Sequence, residues 1–494
     1  MRSTILCTLC LCLSLFCTAQ KQANIWVFGY NAGVDFNTSP PSKILTGAGM
    51  GGLNDMQEGT SCISDSAGRL LIWSDGLQAF GPYGLMLNGS GLAGDGSSTQ
   101  GSIIVPKPGS DSLFYLFTSD AQEPYFYQTT PHGYNYSVIN MCLGWKNKDT
   151  IWGGVMAGQK NIKLVDKGTE KLCAASDGAN GYWILGHRGY SDSFYAWHLT
   201  STGLSARVAT RIGPRMGVAS GGNVYGFGGQ MKFNAAGTRV AAVTQTAPGT
   251  PSTLDLFDFD PLTGKLSNHC QNIISSTAQP YGVEFSPDGS KVYTSYNEAS
   301  SITYLIKNTL NSNCGITGAS RDTIFERTRS ISGLLGIQAA PDGKLYVGYD
   351  DYLFNRTELH RINNPNGAVS YDTAAFTYFK QNRKFTVPPS FVAGFKYHNK
   401  LCKCSQPLAV STPSAAGEIR IFPNPADEQV TIIATNGTTA NLSVVITDAT
   451  GRMIYRTTTL PVQVDLRKQA AGLYFYRVYG EQGIVKSGKF VVAH

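Results

Sequence analysis

Charge is scarce in this chain. Asp, Glu, Lys and Arg make up 15% of its 494 residues, against about 25% in an ordinary soluble domain. The net charge of +7 is spread thinly, with no run of five basic residues. That excludes nucleic acid and anionic membranes from the partners the sequence argues for. Long apolar runs are scarce as well. Beyond the first twenty residues nothing approaches the ~18 consecutive apolar positions of a membrane-spanning helix, so no integral membrane segment is expected in the mature chain. Helix-period patterns rich in Ala, Leu, Glu and Lys are absent too. So are the signatures of chemistry. The seven histidines (132, 187, 198, 269, 360, 398 and 494) show no i, i+4 pair and no His-Glu-x-x-His, the spacing a helical metal site needs. No Gly-x-Ser-x-Gly elbow occurs. Gly483 to Lys489 fits seven positions of a phosphate-binding loop, but Phe490 stands where a Ser or Thr must hold Mg²⁺. No catalytic residue, metal or cofactor is expected.

What the chain has in quantity is Gly (55), Tyr (25) and Phe (23). Many glycines, many aromatics and few charges suit short strands joined by tight turns, so the fold class is all-β. A repeat supports this. Lys232–Val240 (KFNAAGTRV), Glu284–Val292 (EFSPDGSKV) and Gln338–Tyr346 (QAAPDGKLY) align on Gly237, Gly289 and Gly343, in steps of 52 and 54 residues. Weaker copies lie at 64–70, 108–113 and 177–182. Each copy reads as a strand, a reversal and a second strand. Such a unit cannot bury both faces alone and must stack on its neighbours. Radial stacking of four-stranded blades is the all-β solution with few open edges. The span 24–400 at this period gives a seven-bladed β-propeller, with six or eight blades as alternatives. The ring is expected to close by placing the Trp26 strand and the 391–397 strand in one blade.

Five residues before the three turn glycines stand Lys232, Glu284 and Gln338, polar positions within apolar strands. Equivalent positions in consecutive blades share one radial site. The functional reading is a polar ring lining a ligand site. The structural reading is an inter-blade pair, Lys232 to Glu284, because buried charges need partners. His187, after an apolar run, is a further channel-lining candidate at a strand end.

The termini carry addresses. Arg2 precedes an apolar stretch from Ile5 to Phe16, and Cys17-Thr18-Ala19 precedes Gln20. That is the pattern of a secretory signal peptide, residues 1–19. Seven cysteines remain after it, an odd number. Cys402-Lys403-Cys404 is too close for a zinc knuckle, so disulfide chemistry in an oxidising exterior is the expectation. A Pro/Ser-rich linker covers 401–416. Residues 417–494 then supply about seven short alternating runs, the count of a small Ig-like β-sandwich.

This last segment resembles the type A sorting domain of the Bacteroidetes type IX secretion system. The matching features are Phe422-Pro423-Asn424-Pro425, the Asp448–Arg452 turn, Gly472-Leu473-Tyr474 and Lys486-Ser487-Gly488-Lys489. The resemblance implies that the secretion machinery is a partner and that the sorting domain is removed during export. It also implies that Gly472, Leu473, Tyr474, Lys486, Gly488 and Lys489 form the sorting signal. The larger region resembles secreted Bacteroidetes propellers of the gliding-motility-associated type and the WD40-like Pro-Asp repeats of TolB-type propellers. The residues that carry this are Trp26–Phe36, Ser97–Pro106 and Phe257–Asn268. It implies a fold and an address, secreted or attached to the outer-membrane surface, and not a reaction. The expected function is a non-catalytic module that binds a surface protein or glycan. The alternative is a glycan hydrolase or lyase with its carboxylates at the channel mouth.

Overall fold

A computed structural model describes residues 21–29, 32–44, 58–122, 131–143, 153–220, 223–247, 249–298, 302–311, 315–328, 332–351, 356–379, 387–395, 418–435, 442–480 and 483–494. The expected signal peptide and linker lie outside these residues, as does the Cys402–Cys404 pair. The chain divides into two units, Met1–Cys404 and Ser405–His494.

The first unit is a seven-bladed propeller whose blades follow one another along the chain. Blade 1 has three strands: Ile25–Phe28, Ala32–Asp35 and Ser42–Ile44. Blade 2 begins at Ser61–Ser64 and blade 3 at Ser102–Pro106. Gly154 pairs in parallel with Leu87 and joins these two into one nine-stranded sheet. Blade 4 begins at Gly168–Ser176, blade 5 at Met231–Phe233, blade 6 at Ala278–Phe285 and blade 7 at Ser332–Ala339. Blades 5, 6 and 7 are four-stranded antiparallel meanders.

Strand alternation explains why these sheets stack. In blade 5, Val240 and Ala242 pack against Trp183 and Leu185 of blade 4, while Ala241 and Val243 pack against Val283 and Phe285 of blade 6. Successive side chains point to opposite faces, and both faces are covered, so the strand reads as an uninterrupted apolar run. Seven such clusters occupy the seven seams. The repeat is the first turn of each blade. Gly237, Gly289 and Gly343 have φ of 68°, 72° and 74°, and each donates its N–H to the carbonyl three residues back. Only glycine enters that region without strain. The weaker copies form the same turns of blades 2, 3 and 4, with Gly68, Gly109 and Gly178 also at positive φ.

Closure differs from the sequence expectation. Blade 7 completes itself with Ser370–Phe379, and the Trp26 strand pairs with Ala32–Asp35 in blade 1, so among the described residues the 391–395 run is not a strand of either blade. The ends meet through side chains instead. Trp26, Phe28 and Val34 pack on Tyr346, Leu359 and Tyr378, and the Tyr378 hydroxyl donates to the Gly33 carbonyl at 2.7 Å. The 387–395 segment crosses the axis instead. It bridges in parallel from Ser390 to Ser61 of blade 2 and from Ala393 to Ala175 of blade 4. Residues 396 and 397 lie outside the described residues.

The second unit is a sandwich of seven strands. One sheet holds Glu418–Phe422, Gln429–Thr435 and Val462–Asp465. The other holds Met453–Thr457, Ser443–Asp448, Gly472–Gly480 and Gly483–Val492. Its core is apolar, with Val430, Ile432, Val444, Ile446, Val478 and Phe490 at its centre.

Candidate functional site

The first strands of the blades surround the propeller axis, and near their C-terminal ends they enclose a cavity of about 380 Å³. Lys232, Glu284 and Gln338 all line it, with Cys62, Cys173 and Phe391. The repeat alignment holds in space. Lys232 Nζ lies 3.6 Å from Glu284 Oε2 and donates to Gln338 Oε1. Glu284 also accepts the Phe285 and Ala339 backbone N–H groups at 3.0 and 3.2 Å. One side chain from each of blades 5, 6 and 7 is thus tied to the next, and all three are buried. Burial pushes the Lys232 ammonium down and the Glu284 carboxyl up, and their mutual attraction opposes both shifts. The two free thiols are protonated spectators: burial raises Cys62 to about 12 and raises Cys173 as well. A metal ligand or nucleophile needs the thiolate. Cys142 and Cys270, by contrast, are disulfide-bonded.

His187 does not line this cavity. It sits in the second strand of blade 4, fully buried, with its ring edge-on to Phe194 at 4.5 Å. Neither ring nitrogen has a partner. Burial, reinforced by the Lys171 charge, pushes its pKa down to about 3, so it stays neutral at physiological pH. The physical reason is that it lies on the second strand of blade 4, one strand out from the axis, where side chains face the seams on either side.

The opposite ends of the first strands carry a polar cluster that the sequence did not single out. Glu170 accepts the Thr99 N–H at 2.9 Å, the Thr99 hydroxyl at 2.6 Å and the Gln122 N–H at 2.9 Å. Lys171 Nζ donates to the carbonyls of Phe227, Gly228 and Gly229, and Tyr281 donates to Glu58. The available signal was a charged pair, Glu170-Lys171, inside a strand otherwise fit for burial. Glu58 and Glu170 are buried and hydrogen-bonded here.

A second cavity of about 470 Å³ lies at the first-turn ends of blades 3 and 4. Tyr182 and Phe395 form one wall as a stacked pair, with centroids 5.6 Å apart and 19° between planes. Lys107, Asp177, Asn180 and Ser201 supply polar groups around them. Asp177 accepts from the Ala179 and Gly181 N–H groups at 2.8 and 3.0 Å and pairs with His198 at 2.9 Å. Burial raises its pKa, but the Gly181 and His198 bonds outweigh that and hold it below the usual carboxylate range. His198 in turn stacks on Trp183 at 4.4 Å. Phe395 lines both cavities.

In the sandwich, the candidate sorting residues occupy the paired strands Gly472–Gly480 and Gly483–Val492. Gly472 lies opposite Val492, Leu473 opposite Val491, and Lys486 and Gly488 opposite Val478 and Tyr476. Tyr474 stacks on Phe490 inside the core at 5.7 Å. Leu473, Phe475 and Val491 face outward, 37–40% exposed, beside Lys489. Gly488 is required sterically, because a Cβ there would meet the Tyr476 ring at 2.6–2.7 Å.

Residues 420–493 match the family model described as a secretion system C-terminal sorting domain. No curated protein matches the chain. Similar solved structures include PorZ, an essential surface component of the type-IX secretion system of Porphyromonas gingivalis. It is 12% identical, with 96% of this chain and 69% of that one covered and a TM-score of 0.32. The periplasmic gluconolactonase PpgL of Pseudomonas aeruginosa is 10% identical, covering 84% and 95% with a TM-score of 0.38. A protein from Lactobacillus plantarum is 10% identical, covering 76% and 89% with a TM-score of 0.37. None of these lends the chain an activity or a ligand. No helix among the described residues is long and apolar enough to cross a membrane. The chain is a β-propeller that carries a secretion-system C-terminal sorting domain, and type IX secretion delivers it to the cell surface or the exterior.

Proposed function

We propose that the propeller, residues 24–400, is a non-catalytic module that binds a glycan in the groove between the first turns of blades 3 and 4. The observation that carries this reading is the half-buried Phe395 ring, backed by the buried Tyr182 stacked behind it, beside Lys107, Asp177, Asn180 and Ser201. Flat aromatic faces take the apolar faces of sugar rings, and a few fixed polar groups select hydroxyls. The polar ring at the axis serves as an inter-blade clasp, since its members satisfy one another. Residues 1–19 act as the signal peptide. The sorting domain, recognised through the Gly472–Tyr474 and Lys486–Lys489 strands, is removed within the Pro/Ser-rich 401–416 segment, whose composition suits proteolysis.

Glycan-array binding by the mature propeller tests the reading, alongside a panel of polysaccharide substrates. Asn180→Ala and Lys107→Ala change side chains at the rim and leave the blade cores intact. Together they should weaken the best glycan roughly tenfold or more without lowering the melting temperature. Cleavage of a polysaccharide would instead support the hydrolase or lyase alternative.

A further inference from the structure

A third cavity, of about 470 Å³, lies on the same seam between blades 3 and 4 and is lined by Lys163, Lys167, Arg188 and Arg207 with Tyr195 and Asp166. These residues come from five separate places: the Ile162–Val165 strand, the loop after it, the end of Tyr182–Arg188, the Ser191–Thr200 strand and the residue just before Val208–Met216. Four cations face one carboxylate. That carboxylate, Asp166, is 3.6 Å from Lys163 and 85% exposed. Lys167, Arg188 and Arg207 have no carboxylate within salt-bridge reach among the described residues. All four cations are exposed, so water screens their mutual repulsion and leaves three of them unpaired and open to an incoming anion.

The groove also holds its cations in place. The Arg207 guanidinium sits 4.6 Å over the ring of Tyr195, a residue that is 8% exposed and part of the seam core. Lys167 Nζ lies 5.7 Å from the Tyr190 ring centroid. Stacking on an aromatic face fixes a guanidinium while leaving its N–H edge free. That edge matches a carboxylate or a sulfate with two parallel hydrogen bonds.

We propose that this groove is an anion site for acidic polysaccharides, which reads the carboxylate or sulfate groups of a glycan. The proposal rests on the glycan reading above but uses different residues. Tyr182 and Arg188 begin and end one strand, so the two grooves lie about 20 Å apart along the same seam. That distance suits two separated points on a polymer rather than one small molecule. A bilayer fits less well, because the groove offers no exposed aromatic or aliphatic side chain to enter a headgroup layer.

Binding of the full mature chain to polygalacturonate, dextran sulfate and neutral dextran tests the proposal, with phosphatidylcholine vesicles containing phosphatidylglycerol as the lipid arm. Lys167→Gln/Arg207→Gln removes two of the four cations. Arg215→Gln/Lys265→Gln removes the same charge from exposed positions elsewhere. The expected result is about a tenfold or greater loss of acidic-polymer affinity in the first double variant and less than about twofold in the second. Equal weakening in both would mean diffuse attraction by net charge and would overturn the site. Capture by the vesicles but not by the acidic polymers would overturn the glycan assignment. If neutral glycans still bind and acidic polymers do not, this inference fails alone. If no glycan binds at all, the reading it rests on fails with it.

Discussion

The propeller and the sandwich handle buried polarity in opposite ways. The propeller encloses Glu170, Lys171, Lys232, Asp255, Glu284 and Glu358, whereas among the described residues of the sandwich every buried side chain is apolar. Geometry accounts for the contrast. Two facing sheets leave a gap that alternate residues of both can fill with hydrocarbon, as Val430, Ile446 and Phe490 do. A ring of seven sheets leaves an axis on which several first strands converge. Polar side chains there reach across to the next blade and fasten the ring, which apolar side chains cannot do with direction. The propeller is therefore sensitive to loss of a partner, and the sandwich to loss of volume.

The sharpest break in that comparison is a single substitution at the axis. Lys232→Met leaves Glu284 buried with only backbone donors, and orphaning one member of a buried pair costs about 3–5 kcal/mol. Lys232→Met/Glu284→Met should recover most of that loss, because an apolar replacement of both charges is near neutral. In the sandwich, Ile446→Ala should cost about 2–5 kcal/mol through the cavity it leaves, and no second polar substitution should rescue it. Urea unfolding of the three variants checks both halves. A loss below about 1 kcal/mol for Lys232→Met would mean that the axial pair behaves as a solvated one, and the contrast would collapse.

Acid should separate the two units next. His187 has a native pKa of about 3 against about 6.5 in the unfolded chain. Below pH 6.5 the unfolded state binds a proton that the native state refuses, so stability falls as pH falls from 6.5 toward 3. At pH 5 the loss relative to neutral pH should be about 2 kcal/mol from this residue alone. His187→Leu removes the titrating group and two unpartnered buried nitrogens, and should flatten the propeller's melting temperature between pH 7 and pH 4. The sandwich buries no histidine. Its depressed carboxylates, the half-buried Asp448 and the exposed Asp465, owe their shifts first to hydrogen bonds with Thr450 and Arg467. An unchanged pH profile in His187→Leu would show that the acid response arises elsewhere.

The repeat made most of the fold legible, because each first turn depends on a glycine at positive φ and on the apolar runs beside it, both local properties. It also aligned Lys232, Glu284 and Gln338 correctly, since equal spacing from a turn means equal depth along the axis. The closing strand was misassigned for a related reason. An apolar run such as 391–395 reads as strand whether it lies in a sheet or crosses a packed axis, and only its bridges to Ser61 and Ala175 decide between them. His187 shows the limit of strand-end reasoning, because a strand end reaches the channel only on the first strand of a blade, and His187 lies on the second. The basic groove was invisible to any search for charge runs. Its four cations lie between positions 163 and 207, and the seam alone brings them together. The Glu170 cluster was missed because its partners, Thr99, Gln122 and Phe227, come from turns with no shared period.

A last comparison isolates the effect of surroundings on one local motif. Asp65-Ser-Ala-Gly68-Arg69 in the propeller and Asp448-Ala-Thr-Gly451-Arg452 in the sandwich fold into the same turn. The glycines have φ of 85° and 86°, and each aspartate accepts the arginine N–H and Nε–H at 2.8–3.0 Å. Their neighbours differ. A Cβ on Gly68 would lie 2.0 Å from Asn37 Oδ1, whereas nothing stands within 4 Å of one on Gly451. Asn37 cannot move away freely, because it donates to the Gly68 carbonyl at 2.9 Å and accepts from Asn24 at 3.0 Å. Gly451→Ala should therefore cost only the left-handed backbone strain, about 1 kcal/mol. Gly68→Ala should cost about 2 kcal/mol or more, since it adds a clash and breaks the Asn24–Asn37 relay. Asn37→Ala/Gly68→Ala should return part of the difference by clearing the space. Thermal unfolding of the three variants decides it: equal losses for Gly68→Ala and Gly451→Ala would mean that the turn alone sets its stability and that the blade packed against it contributes nothing.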